Sequence, residues 1–142
     1  MTTPEQTAFS DDDNGSAKRE LDSHTSVQEM REVVAKFVRE RNWEQFHNPK
    51  NLAMSLSIEA AELMEHFQWL TLAAANSAVQ EPESRAKIAE EVADCLAYVL
   101  ALANVMQLEL ASTLRAKMEK NSLKYPIDQA YGRWGLEDDG RR

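Results

Sequence analysis

The stretch SLSIEAAELMEHFQWL, Ser55–Leu70, has the apolar spacing of a buried helix, with one exception. At about 100° per residue, Leu56, Glu59 and Leu63 fall on one narrow stripe. A carboxylate in such a stripe costs roughly several kcal/mol unless it is paired, hydrogen-bonded or bound to a metal. A second acid, Glu62, follows Glu59 by one turn. The sequence therefore predicts a compensating partner for Glu59.

The regions around this stretch carry further helix patterns. A capping box, Ser26 with Glu29, starts the first helix, and Pro126 ends the last one. The scarcity of Gly and Pro, four of each, and the lack of any strand alternation or internal repeat favour helices. The sequence predicts an all-α fold, an antiparallel four-helix bundle. The predicted helices cover about 26–41, 49–75, 82–107 and 110–125.

The two ends of the chain differ in composition from its middle. Residues 1–25 hold six acidic and two basic residues and no apolar cluster, which is typical of a disordered arm. Residues 127–142 carry Gly132, Gly135 and mixed charge and are predicted to form a C-terminal arm or tail. The predicted organisation is one helical domain, 26–126, with a flexible arm at each end.

The charge and the cysteine count exclude several classes of protein. A net charge of −8 opposes binding to a nucleic acid polymer. Cys95 is the single cysteine, which excludes a disulfide within the chain and a multi-cysteine zinc site. No apolar run reaches about 18 residues and the N-terminal region is acidic, so we expect neither a membrane span nor export. A cytoplasmic protein is the expectation.

A second acidic pair lies in EEVADCLAYVL, Glu90–Leu100. Glu91 and Asp94 share one face of the predicted third helix with Tyr98, one turn further on. Together with the first pair, four carboxylates would repel one another, and a divalent cation would neutralise them. All-oxygen ligation selects Mg²⁺, Mn²⁺ or Ca²⁺, and the lack of a histidine in this helix disfavours a di-iron site. Ordinary salt bridges at each acid remain the alternative.

Four sequence blocks together resemble a known family. They are RNWEQFHNPKNL (41–52), EAAELMEHFQW (59–69), EEVADCLAYVL (90–100) and KMEKNSLKYP (117–126). In this order and at similar spacing they resemble the MazG-like superfamily of all-α nucleoside triphosphate pyrophosphohydrolases, and within it the dCTP pyrophosphatase branch. The resemblance spans about residues 27–126.

The resemblance implies an activity and the residues that perform it. The reaction would be a Mg²⁺-dependent hydrolysis, with Mn²⁺ as a possible substitute, of dCTP or a modified dCTP to the monophosphate and pyrophosphate. Such a reaction cleanses the nucleotide pool. The catalytic and metal-binding residues implied by the resemblance are Glu59, Glu62, Glu91 and Asp94.

The resemblance also implies how the nucleotide is held. Aromatic residues would enclose the base, and one face of the fourth helix would hold the β and γ phosphates. The sequence departs from the branch at Val34, which stands where the branch has a histidine that helps contact the nucleotide. His47 is either a substitute for that histidine or a polar turn residue, and we favour the turn residue. The implied substrate-binding residues are Trp43, Trp69, Tyr98, Lys117, Asn121 and Tyr125.

The third predicted helix points to self-association. Its segment Cys95–Met106 is apolar on nearly all sides, more than one bundle can cover. We expect a homo-oligomer, and the resemblance implies a dimer or a tetramer, of which we favour the tetramer. Two other functions remain open: a broad-specificity MazG-like enzyme, and a non-catalytic acidic helical bundle that binds a partner protein.

Overall fold

The computed structural model describes residues 22–133, and this part of the chain contains helices and no strand. The predicted all-α fold is confirmed. A single 3-10 turn, Glu44–Phe46, lies between the first two helices. Residues 1–21 of the predicted acidic arm and residues 134–142 of the predicted tail lie outside the described residues. The helices are α1 (Val27–Glu40), α2 (Pro49–Glu65), α3 (Leu72–Ala78), α4 (Pro82–Met106), α5 (Leu110–Lys124) and α6 (Ile127–Ala130).

The predicted helix starts are present with their capping bonds. The Glu29 N–H donates to Ser26 Oγ at 3.2 Å, and the Ser26 N–H donates to Glu29 Oε2 at 2.6 Å. Asn48 Oδ1 accepts a hydrogen bond from the Asn51 N–H at 3.0 Å, with proline at the first helical position after it. These bonds satisfy backbone N–H groups that a helix start leaves without partners.

The second predicted helix is wrong in one respect, because the structure divides it in two. α2 ends at Glu65, and a turn leads to α3. Thr71 has extended backbone angles, φ −70° and ψ 162°, and its side chain accepts a hydrogen bond from the Ala74 N–H at 3.2 Å. A residue in this conformation starts a new helix and cannot continue the old one. The apolar spacing alone did not reveal this break.

The core of the chain lies where α4 packs against α2 on one side and α1 on the other. Six apolar residues are buried among residues 22–133, which is a small core for that many residues. Many large apolar side chains remain exposed on the described helices. The buried residues are Val38, Leu52, Ile88, Leu100, Ala101 and Ala103.

The last long helix, α5, turns away from this core. It forms where the sequence predicts it and ends before Pro126, but it is bent by 105° relative to α4 and packs closely on neither α1 nor α2. Almost all of its side chains are exposed, including Leu114 at 62% and Leu123 at 82%. One chain therefore packs three long helices together and extends the fourth.

Within residues 22–133, no single helix has both the length and the apolar composition needed to cross a membrane. α4 and α5 meet that test only when taken as one segment, and they are bent at their junction.

Candidate active site

The packing of α2 along α4 brings three predicted carboxylates together. Glu59 and Glu62 come from α2, and Glu91 comes from α4. One oxygen from each side chain lies within 4.8 Å of the other two. Glu59 and Glu91 are half-buried and Glu62 is exposed. We call these three residues the acidic cluster. Its oxygens are close enough to bind one cation together.

Asp94, the fourth predicted ligand, lies at the edge of the acidic cluster. Its side chain is exposed and is not among the three whose oxygens meet within 4.8 Å. Its charge nevertheless acts on the cluster. Loss of solvent raises the pKa of Glu59 above its ordinary value of 4.5, and the negative charges of Glu62, Asp94 and Glu91 raise it further. Both causes disfavour the ionised form of Glu59.

No cationic side chain in the described part of the chain pairs with these four acids. The ion pairs within residues 22–133 join Lys36 to Glu40, Arg41 to Glu40, and Lys87 to Glu83. The salt bridges considered as an alternative are therefore not formed by the described residues. Three carboxylates with no nitrogen or sulfur ligand make a hard, all-oxygen donor set, which fits Mg²⁺ or Mn²⁺.

The predicted aromatic residues lie on different elements. The backbone N–H of Trp43 donates to the Val38 carbonyl at 3.0 Å. The Trp43 ring meets the Phe37 ring edge to face, with ring centroids 5.8 Å apart. Trp69 lies in the turn after α2 and is 87% exposed, so the described residues do not bury its ring in the core. Tyr98 is half-buried on α4, one turn after Asp94.

The predicted phosphate-binding residues lie on and just after α5. Lys117 is exposed, Asn121 is half-buried, and Tyr125 is 38% exposed with Lys124 Nζ 5.1 Å from its ring centroid. Because α5 packs closely on neither α1 nor α2, a single chain does not pack these side chains against the acidic cluster. Their role remains a prediction.

A polar contact that the sequence analysis missed joins α1 to the end of α4. Arg31 Nε donates to Asn104 Oδ1 at 2.7 Å, and Asn104 Nδ2 donates back to the Arg31 carbonyl at 3.1 Å. The available signal was Asn104 itself, the single side-chain amide within the apolar run Cys95–Met106. An amide in such a place needs a hydrogen-bonding partner.

A cavity of about 330 Å³ lies beside this contact, between α1 and α4. Val34, the position that departs from the dCTP pyrophosphatase pattern, lines it together with His47, Ala101 and Asn104. His47 is half-buried. It lines the same cavity as Val34, and whether it substitutes for the histidine absent at position 34 stays a prediction.

The fold and the acidic cluster define an all-α protein whose packed helices present a carboxylate centre of the kind that binds divalent cations. The chain matches the MazG-like family over residues 54–134, and it belongs to that family. The predicted resemblance to this superfamily and its dCTP pyrophosphatase branch is confirmed.

Individual relatives agree with this assignment. The chain is 37% identical over 107 residues to dCTP pyrophosphatase 1 of Rattus norvegicus, an alignment that covers 75% of this chain and 63% of that protein. It is 38% identical over 105 residues to dCTP pyrophosphatase 1 of Homo sapiens, covering 74% and 62%. The chain thus spans less than two thirds of the length of these relatives.

A solved structure has a similar fold. The crystal structure of a pyrophosphatase from Archaeoglobus fulgidus DSM 4304 superposes with a TM-score of 0.67 at 38% sequence identity. The match covers 72% of this chain and 94% of that one.

Proposed function

We propose that this protein hydrolyses a deoxynucleoside triphosphate, dCTP or a modified dCTP, to the monophosphate and pyrophosphate in a Mg²⁺-dependent reaction. The observation that carries the proposal is the acidic cluster, in which three carboxylates lie within 4.8 Å and no described cation pairs with them. The family membership and the names of the relatives support the same reaction.

The acidic cluster would hold the cation through Glu59, Glu62 and Glu91, with Asp94 beside them. A divalent cation supplies charge neutralisation for phosphate oxygens and makes water more acidic. The half-burial of Glu59 and Glu91 limits the water around the carboxylates, which strengthens their attraction for a cation. Anchoring the ligands on two packed helices keeps their separation fixed.

The nucleotide would extend from the acidic cluster towards the aromatic residues. Trp43, Trp69 and Tyr98 offer ring surfaces on which a base can stack. Trp69 supports this role best, because a tryptophan that is 87% exposed has a large apolar surface that residues 22–133 leave uncovered. Lys117, Asn121 and Tyr125 would bind the outer phosphates.

A homo-oligomer completes the proposal. α5 carries the phosphate-binding residues but packs closely on neither α1 nor α2 of its own chain, and its apolar residues Leu114 and Met118 are 62% and 47% exposed. Association through these surfaces would bury them, and it would allow α5 of one protomer to reach the acidic cluster of another. We propose a tetramer, with a dimer as the smaller alternative.

A substrate panel tests the proposed reaction. Purified protein is incubated with each deoxynucleoside and ribonucleoside triphosphate and Mg²⁺, and the released pyrophosphate is measured. We expect dCTP or its modified forms to be preferred, and Glu91→Gln to be inactive. The matched control is Glu90→Gln, which removes an exposed charge beside Glu91 but outside the acidic cluster. Turnover of every nucleotide at similar rates would favour the broad-specificity alternative.

The non-catalytic alternative makes a different prediction in the same assay. If the protein only binds a partner, no nucleotide yields pyrophosphate and Glu91→Gln behaves as the parent does. A role in the nucleotide pool places the protein in the compartment that holds the pool, and a cytoplasmic location is therefore part of the proposal.

A further inference from the structure

Arg31 of α1 binds both sides of the corner between α4 and α5. Before the corner, its Nε donates to Asn104 Oδ1 at 2.7 Å, and its Nη2 lies 3.5 Å from the Ala103 carbonyl. After the corner, its Nη1 donates to the Leu108 carbonyl at 2.9 Å. One guanidinium therefore connects the end of α4 and the residues that lead into α5.

The corner is a place where the chain needs such support. Three residues, 107–109, join two helices that are bent by 105°. Gln107 adopts the left-handed conformation, with φ 54°, which is strained for a residue other than glycine. The Leu108 N–H closes the helix end by donating to the Ala103 carbonyl at 2.9 Å.

No other polar side-chain contact holds α5 in the described part of the chain. The side-chain hydrogen bonds of α5 within residues 22–133 come from Ser112 and Ser122, and both go to carbonyls of α5 or its first cap. No ion pair there involves α5. Within residues 22–133, polar contacts therefore constrain α5 through the corner, and Arg31 is the one side chain of another helix that hydrogen-bonds to the corner.

The chemistry of Arg31 suits this task. A guanidinium beside the last carbonyls of a helix is stabilised by the helix dipole, and its planar fork fixes the directions of several hydrogen bonds at once. Its contacts are part-buried, and Asn104 returns a hydrogen bond to the Arg31 carbonyl at 3.1 Å. The contact is reciprocal, so neither residue can rotate away without leaving a polar group without a partner.

We propose that Arg31 is a positioning residue for the nucleotide site. By fixing the α4–α5 corner it sets the direction of α5, and thereby the placement of Lys117 and Asn121 relative to the acidic cluster that they would complement. This inference rests on the proposed function, since those two residues act on phosphates only if a nucleoside triphosphate is the substrate.

Steady-state kinetics test the proposal through Arg31→Ala and Arg31→Lys. A displaced α5 loses phosphate contacts, so we expect Arg31→Ala to raise KM for dCTP by about tenfold or more. The affinity for Mn²⁺ alone, measured by its electron spin resonance signal, should stay at the parent value because the acidic cluster is untouched. Arg31→Lys keeps the charge without the fork and should restore KM in part. Lys36→Ala, an exposed cation of α1, is the matched control.

A distance measurement tests the corner without relying on catalysis. In a Cys95→Ser background, spin labels at Gln28→Cys on α1 and Glu119→Cys on α5 report the direction of α5. Unlabelled protein is added so that only distances within one chain are seen. We expect one narrow distance distribution with Arg31 present and a broad one in Arg31→Ala. If Arg31→Ala does not fold by circular dichroism, Arg31→Lys is measured in its place, with the same broadening expected to a smaller extent.

Two results would overturn the inference: an unchanged distance distribution, or an unchanged KM in a folded Arg31 variant. A parent protein that hydrolyses no nucleotide contradicts the proposed function instead, and the distance measurement then still decides whether Arg31 fixes the direction of α5.

Discussion

Glu59 of α2 and Glu91 of α4 present carboxylate oxygens within 4.8 Å of each other, and neither has a cationic partner among residues 22–133. Two unit charges about 4 Å apart repel by roughly 1 kcal/mol even in bulk water, and by more where they are half-buried. Glu62 adds a third charge to the same place. Helix packing therefore holds together charges that repel one another, and a bound cation would relieve that repulsion.

The first prediction concerns this repulsion. Glu59→Gln should leave the melting temperature of the metal-free protein unchanged or raise it, because it removes a carboxylate whose pKa is raised by loss of solvent and by its acidic neighbours. The same variant should lose most of the stabilisation that Mg²⁺ gives the parent, and its activity should fall by about 100-fold or more. Differential scanning fluorimetry with and without Mg²⁺ measures both stabilities.

Glu65→Gln is the control for this prediction, since Glu65 is an exposed acid of the same helix outside the acidic cluster. It should match the parent in each measurement. A metal-free Glu59→Gln protein that melts well below the parent would mean that Glu59 stabilises the fold.

The second prediction concerns pH and the start of α4. Hydrogen bonds from the Ser84 N–H at 2.6 Å and the Glu83 N–H at 3.0 Å lower the pKa of Glu81 below 4.5 in the folded state. Its stabilising contribution is therefore complete above pH 4.5 and is lost as the pH falls through the lowered pKa. Glu81→Gln should be less stable than the parent near neutral pH and equal to it in sufficiently acidic solution.

Urea unfolding at a series of pH values measures this difference, with Glu90→Gln as an exposed control in the same helix. A gap between parent and Glu81→Gln that is the same at every pH would show that the carboxylate charge is not what caps α4.

The third prediction concerns assembly. Val99 is 38% exposed and its neighbour Leu100 is 4% exposed, so the two test different surfaces of α4. Val99→Asp should dissociate the proposed oligomer and lower its activity while helicity persists. Leu100→Asp should unfold the chain, because it places a charge in the core. Light scattering and circular dichroism distinguish the two results. An active parent with the monomer mass of 16.1 kDa would remove the oligomer from the proposal.

The fourth prediction concerns the small core. Leu52 is 2% exposed, and Leu52→Ala should lower the free energy of unfolding by about 2–5 kcal/mol. Leu72 is 88% exposed at the start of α3, and Leu72→Ala should change the free energy of unfolding by less than about 0.5 kcal/mol. Chemical denaturation measures both. Equal effects of the two substitutions would mean that α3 is covered in solution.

The acidic cluster could be predicted from sequence because its signal is local. A glutamate in a leucine stripe, followed by a second acid one turn later, is visible within a single helix. The same pattern in α4 indicated the carboxylates that lie opposite Glu59. The pattern does not predict how deeply each carboxylate is buried. Asp94 shares its face with Glu91 and yet lies at the exposed edge of the acidic cluster.

The remaining features depend on contacts between segments that are distant in the chain. To predict the break after Glu65, the capping preference of Thr71 would have had to outweigh an apolar pattern that continues past it. The direction of α5 depends on Arg31, which is more than 70 residues away from the carbonyls it binds. Helical periodicity carries no information about such a contact, although Asn104 in an apolar run indicated that some partner was needed.

α4 runs without interruption from Pro82 to Met106 and carries both Glu91 and Asn104. Each residue added to a helix turns everything beyond it by about 100°. A one-residue insertion between these two positions could not keep both contacts. Either Glu91 would stay beside α2 and Asn104 would rotate away from Arg31, or Asn104 would stay and Glu91 would rotate away from α2. An insertion in the turn between α2 and α3 would leave both pairings intact. Natural variation in chain length should therefore collect in that turn and be absent from the middle of α4.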